Sequence, residues 1–330
     1  MTSAPTSATS RIGLGLAAVA RPAYITPSRS ADLGASAGER AVERLRALSH
    51  ELLDVAHAAG VRYVDVARSY GLAEDFLSSW LAARPSAEGV VVGSKWGYRY
   101  VGDWQLDAGV HEVKDHSLEA FRDQYPQSRE LLGTSLAIYH IHSLTPDSPA
   151  LTDRALHQAL AGVRAAGTRV GFSTSGPRQG EVIRRALELE VDGQPLFTSV
   201  EATWNLLEPS AGPALAEAAA GGATVIVKEA VANGRLSPAE TDPHPAAVAA
   251  REVASQLGAG VDQVATAAAL AQPWAWRVLS GAVTVEQLRA NLGAAGLDGL
   301  DDLEIDVERL TAWAQDPREY WAQRSARAWS

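Results

Sequence analysis

Short, nearly unbroken apolar runs alternate along this chain with longer stretches in which apolar residues return at helical spacing. A run bounded by polar or glycine residues reads as a strand buried on both faces, and a stretch of helical period reads as an amphipathic helix. Strands are predicted at Arg11 to Leu16, Tyr63 to Val66, Val90 to Lys95, Leu136 to Ile141, Arg169 to Phe172, Phe197 to Glu201, Thr224 to Lys228 and Arg277 to Gly281. Helices are predicted after them at Glu39 to Ala59, Leu72 to Ala83, His116 to Leu132, Asp153 to Ala166, Gly180 to Glu190, Pro213 to Ala219, Val261 to Leu270 and Val285 to Ala295. Gly60, Gly133, Gly167 and Gly221 stand where a left-handed residue would stop a helix. Strand alternating with helix predicts parallel βα units, and eight of them make an α/β chain that closes as one (β/α)8 barrel of the TIM type.

Two stretches, Ala23 to Gly38 and Tyr98 to Asp115, exceed the bare pattern and follow strands. They are expected as long loops on the C-terminal face of the strands, where barrel loops shape a substrate site. A last amphipathic segment, Asp306 to Trp329, is expected to pack on the barrel's outside, with a flap over the pocket as the alternative. Residues 1–10, rich in Ser, Thr, Ala and Pro, read as a flexible tail, and 11–330 as a single domain because no Pro- or Gly-rich linker divides them.

Charge narrows the partners. Of the 330 residues, 29 are Lys or Arg and 39 are Asp or Glu, a net charge of -10, with no basic cluster longer than a pair. That argues against a nucleic-acid footprint. No apolar stretch reaches membrane-spanning length, and the N-terminal segment lacks the basic and apolar regions of a secretory signal. A soluble, cytoplasmic protein acting on a small molecule is expected. The absence of cysteine removes thiolate metal sites and cysteine nucleophiles, and the eight histidines show no ligand spacing, so no metal is expected. Oligomeric state has no signature in the residues.

Four ionisable residues stand at or just past predicted strand ends: Asp65, Tyr70, Lys95 and His142. A phenol, with a reference pKa of about 10, donates a proton near neutrality only if its phenolate is stabilised. A lysine beside it does this, and an aspartate keeps the lysine charged and in place. A histidine can then hydrogen-bond the oxygen of a substrate carbonyl where an alkoxide forms. His140, two residues before His142, falls on the same strand face one layer deeper and is read as structural.

The run Asp65-Val66-Ala67-Arg68-Ser69-Tyr70-Gly71, followed by Lys95 and His142 on the next two strand ends, resembles the catalytic tetrad of the aldo-keto reductase superfamily, from about Arg11 to Asn291. The resemblance implies hydride transfer between a nicotinamide cofactor and an aldehyde or ketone, with Tyr70 as proton donor. It implies a nicotinamide site at Ser173, Thr174, Glu201 and Trp204, with Trp204 stacked on the ring. Thr174 and Glu201 stand where the family has amides. It implies further cofactor contacts at Gly15, Lys228, Gly234, Leu236, Gly281, Thr284, Gln287, Arg289 and Asn291, with Arg289 at a 2′-phosphate. NADP(H) is expected by family habit and NAD(H) is the alternative, since the family's lysine at the Gly281 position is missing. Tyr24, Trp96 and Trp104, with Trp204 and Trp321, are expected to form an aromatic substrate pocket. Two other readings stand open: a cofactor-binding sensor or partner subunit with little turnover, and a sugar or cyclic-alcohol dehydrogenase working oxidatively.

Overall fold

The computed structural model describes residues 9–23, 32–34, 41–84, 87, 89–105, 107–297 and 310–327. Eight strands run in chain order: β1 (Ile12–Gly15), β2 (Tyr63–Asp65), β3 (Val91–Trp96), β4 (Leu136–Leu144), β5 (Arg169–Thr174), β6 (Ser199–Thr203), β7 (Thr224–Lys228) and β8 (Arg277–Ser280). Each pairs in parallel with the next, and β8 pairs with β1 through Leu14 opposite Ser280, so the sheet closes into a barrel. Apart from the first residues of some strands and the polar ends, these segments are buried on both faces, as parallel strands packed between helices and a filled interior must be. Tyr63, Ile138 and Ile226 meet inside the barrel with Trp276 and Leu279 packed against them, so the interior is a core and not a channel.

Helices follow the strands: α1 (Val42–Ala58), α2 (Ala73–Ala83), α3 (Leu118–Leu132), α4 (Arg154–Ala165), α5 (Gln179–Leu187), α6 (Gly212–Ala220), α7 (Pro245–Leu257), α8 (Val261–Leu270), α9 (Val285–Gly293) and α10 (Pro317–Ser325). Side-chain caps set several starts: Ser117 accepts from the Ala120 amide, Asp153 from Ala155 and Leu156, and Thr284 from Gln287. Gly60, Gly133 and Gly167 take positive φ as expected, but after α6 it is Gly222 and not Gly221 that does so, with φ of 88°.

Three elements depart from the expected pattern. The stretch from Tyr98 to Asp115 carries an antiparallel hairpin, Tyr98–Tyr100 against Glu112–Lys114, instead of open loop. A second small hairpin pairs Glu190–Val191 with Gln194–Pro195, and α7 was not expected. The favoured reading of the C-terminal segment is also corrected. Helix α10 lies at the C-terminal ends of the strands, where Tyr320 Oη accepts from Asn205 Nδ2 (3.1 Å) and Trp321 Nε1 donates to Glu208 (3.4 Å), both partners lying just past β6. Among the described residues no helix is long and apolar enough to cross a membrane.

Candidate active site

The parallel barrel gathers its strand ends on one rim, and there the four tetrad residues meet. The chain leaves β2 after Asp65 through a short turn that delivers Tyr70 to the pocket wall. Gly71 makes that turn: its φ is 58°, and a Cβ there would fall 2.5 Å from the Ala20 carbonyl oxygen. Tyr70 Oη lies 3.4 Å from His142 Nε2, and Ser69 Oγ lies 3.5 Å from His142 Nδ1. Lys95 Nζ sits 5.1 Å from the centre of the Tyr70 ring, and the Arg21 guanidinium sits 5.0 Å from it. Burial, together with the charges of Lys95, Lys228 and Arg21, holds His142 well below the usual imidazole range, so the ring is neutral at pH 7. Its backbone carbonyl accepts from His116 Nε2 at 2.7 Å. Burial, helped by Lys114, lowers His116 to about 4, and the neutral ring then takes the Ser148 hydroxyl at Nδ1.

Lys95 is fully buried and faces two carboxylates. It donates to Asp65 Oδ1, and Glu201 Oε2 lies 3.3 Å from its Nζ. His140 Nδ1 is 3.6 Å from the same Glu201 oxygen, while its Nε2 bonds Ser199 Oγ at 2.9 Å. Burial alone would lower Lys95, but Asp65 and Glu201 together raise it well above the ordinary lysine value. Two carboxylates against one buried ammonium leave an uncompensated charge, so the pair retains a proton and titrates as a unit. Burial first and the Glu201 charge second push Asp65 up to about 8. Glu201 is held down to about 2, because Lys95, His140 and Lys228 outweigh its burial.

A carboxyl raised in the folded state stabilises the fold fully below its unfolded value, and that contribution is lost as pH climbs through the folded value. Wild-type stability is therefore expected to fall from about pH 4 to about pH 9 through the Asp65 ionisation. Glu201→Gln, which leaves Asp65 alone with Lys95, should flatten that slope in urea melts taken across this range. An unchanged slope would show that the pair holds no shared proton.

Asp65, Tyr70, His142 and Glu201 line one cavity of about 740 Å³, and Lys95 stands behind Asp65 and Glu201. The cavity runs from this rim past Gly15 and the loop after β7 to the start of α9. Among the expected cofactor residues Gly15, Lys228, Gly234, Gly281, Gln287 and Asn291 line it. Others do not. Thr174 donates to Gln179 (3.1 Å), Ser173 Oγ accepts from the Ser143 amide (2.8 Å), and Leu236 is buried beneath its loop. Thr284 is spent capping α9, and Arg289 is exposed on a helix whose lining residues are Glu286, Gln287, Ala290 and Asn291. Trp204 is buried edge-on against Trp274, with ring centres 6.0 Å apart, so it is not placed to stack in the cavity.

The aromatic substrate pocket is likewise corrected. Trp96 is fully buried against Phe121, Trp104 packs on the core outside the cavity, and Trp321 is buried over Lys228. Tyr24 lies outside the described residues. Tyr98, from the hairpin, takes the aromatic position: its ring centre is 5.0 Å from that of His142. Charged groups complete the wall. Arg21 pairs with Glu112, and Glu229 receives Arg324 of α10 at 2.5 Å. Lys228 Nζ donates to Thr203 Oγ1 at 2.8 Å. Burial would raise Glu229, but Arg324 and Lys228 hold it far below the carboxylate range; burial lowers Lys228. Sequence reasoning missed Arg21, Tyr98, Glu112, Glu229 and Arg324. Only Tyr98, directly past the end of β3, carried a local signal.

A closed parallel barrel with a tyrosine, a lysine, an aspartate and a histidine on its C-terminal rim defines an α/β-barrel enzyme site. Residues 34–307 match the Aldo/keto reductase family, and the chain belongs to that family of oxidoreductases, which generally uses NAD(P)H. Among proteins of known sequence it is similar to Protein tas of Escherichia coli, 24% identical, over 79% of this chain and 88% of that one. Among solved structures it resembles the holo form of aldo-keto reductase AKR11C1 from Bacillus halodurans (TM-score 0.65, 19% identity, 93% of this chain and 92% of that chain). It also resembles the Pseudomonas aeruginosa protein PA4992, assigned to the aldo-keto reductases (TM-score 0.59, 20% identity, 89% and 94%). At these identities the structural likeness speaks for the barrel alone.

Proposed function

We propose that this protein reduces an aldehyde or ketone to an alcohol with a nicotinamide dinucleotide, Tyr70 supplying the proton. The observation that carries the reading is the convergence of Tyr70 Oη and His142 Nε2, 3.4 Å apart, on the wall of a cavity of about 740 Å³ that continues to the start of α9. The fit to such a cofactor rests on two features. Asn291 Oδ1 is buried in that wall without a hydrogen-bond partner, and Gly281 leaves open space where a Cβ would stand. Gly15, Gly234, Gly281, Gln287 and Asn291 would hold the dinucleotide, whose nicotinamide supplies the hydride.

The remaining chemistry belongs to the chain. Neutral His142 donates from Nε2 to the carbonyl oxygen and polarises it. Tyr70 releases its proton to the same oxygen as negative charge builds there. Lys95, close under the phenol ring, stabilises the phenolate left behind, and the Asp65–Glu201 pair keeps the ammonium in place. The alcohol leaves, and solvent restores the phenol proton.

The substrate end of the cavity is walled by Arg21–Glu112 and Lys228–Glu229–Arg324, with Tyr98 as its aromatic surface. Groups of this kind reward hydroxyls that can bond to them and leave an apolar substrate facing desolvated charge. A hydroxylated aldehyde is therefore expected to exceed an unsubstituted aldehyde of equal size by about tenfold or more in kcat/KM. The test is consumption of NADH or NADPH by the purified protein with such a matched panel. No turnover on any carbonyl, in a protein that binds the cofactor, would overturn the reductase reading.

A further inference from the structure

The outer end of the same cavity has a chemistry of its own. It is framed by the first turns of α8 and α9, and its polar side chains offer acceptors. Asp262, in the first turn of α8, is 7% exposed, and its Oδ1 has no hydrogen-bond partner. Asn291, 6% exposed, donates through Nδ2 to Ser280 Oγ at 2.9 Å, and its Oδ1 is the unpartnered atom noted above. Gln287 is used at both ends: Oε1 accepts from the Val283 amide (2.9 Å), and Nε2 donates to Asp32 Oδ2 (3.0 Å). That bond holds a second carboxylate at this rim, and Glu286, exposed on the same helix face, supplies a third.

Cations are absent from this end among the described lining residues. The arginines and lysine of the wall are Arg21, Lys228 and Arg324, each paired with a carboxylate in the substrate region. Arg289 lies off the lining face of α9. The side chains here offer carboxylate and amide oxygens, which a ligand bringing donors would satisfy. The adenosine end of NAD(H) brings them, as ribose hydroxyls and an adenine amino group. The adenosine end of NADP(H) would bring a phosphate carrying nearly two negative charges to these three carboxylates, with no arginine or lysine among the described lining residues to meet it.

We infer that this end of the cavity selects NAD(H) over NADP(H), with Asp262, Asp32 and Glu286 rejecting the 2′-phosphate and Asn291 Oδ1 accepting from the adenosine. The inference rests on the dinucleotide reading above and replaces the NADP(H) that family habit suggests.

Calorimetric titration of the purified full chain tests it without turnover. NADH is expected to bind about tenfold or more tightly than NADPH, and 5′-AMP to exceed adenosine 2′,5′-bisphosphate by a similar factor. Glu286→Arg, an exposed change that leaves the core untouched, should narrow both ratios by about tenfold through tighter binding of the 2′-phosphorylated ligands. NADPH binding as tightly as NADH would overturn the inference and leave the reductase reading standing. So would ratios unmoved by Glu286→Arg. Binding of neither dinucleotide would overturn both.

Discussion

Tyr70→Phe is expected to lower kcat by about 10²–10⁴, the contribution of a positioned general acid, while dinucleotide affinity stays within about twofold. The change removes one oxygen and little else. The ring keeps its contacts with Arg21 at 5.0 Å, Lys95 at 5.1 Å and His142 at 5.4 Å, so the wall should hold its shape. No other group at that point can take over the proton. Ser69 is 3.5 Å from the far nitrogen of His142, but an alcohol is a far weaker acid than a phenol, and His142 is neutral. The residual rate would come from His142 polarising the carbonyl and from binding. Steady-state kinetics beside a thermal melt separates loss of the proton from loss of the fold. A variant that turns over at the wild-type rate would remove Tyr70 from the mechanism.

Lys95→Met is expected to cost about 3–5 kcal/mol of stability, because it removes one partner from a buried ionic cluster. Asp65 and Glu201 are almost fully buried and share this ammonium, so its loss leaves two carboxylates facing each other. His140 at 3.6 Å from Glu201 compensates poorly, because burial holds it below the usual imidazole value. The sign of the pH effect follows. Without Lys95 both carboxyls titrate high, so the variant should be most stable in acid and lose stability as pH rises. Adding Glu201→Gln should recover part of the loss. Urea denaturation at two pH values would check all of this, and a loss below about 1 kcal/mol would mean that the cluster is not held by its ammonium.

Much of the barrel was legible because its strands are apolar on both faces, which makes a strong local signal. The tetrad positions followed from that, since each residue is fixed by a strand end. What failed to read locally has identifiable causes. Helix α7 packs on the core through Ala246, Ala247, Ala250 and Ala254, side chains too small to raise a clear apolar stripe. Trp204 and Trp96 were expected in the pocket because tryptophan suits a binding surface equally as it suits a core, and only the backbone decides which way it turns. The charged wall was invisible for a different reason: Arg21 finds Glu112 across 91 residues and Glu229 finds Arg324 across 95. Glu201 stands out in the sequence as a carboxylate in place of the family's amide, but its ion pair with Lys95 depends on two non-adjacent strands placing both side chains inside the barrel.

Helix α10 has a bearing on how the protein comes into being. Its Arg324 and Ser325 share the cavity wall with Gly15, so the wall joins residues from both extremes of the described chain. Barrel strands can pair once β8 has been synthesised, yet the pocket stays open on one side until α10 docks through Tyr320 on Asn205 and Arg324 on Glu229. A nascent chain ending before Pro317 would then possess its tetrad but lack part of the substrate wall. Ligand capture then waits on the docking of α10, and a bulky insertion just beyond α10 would disturb binding before it disturbed folding.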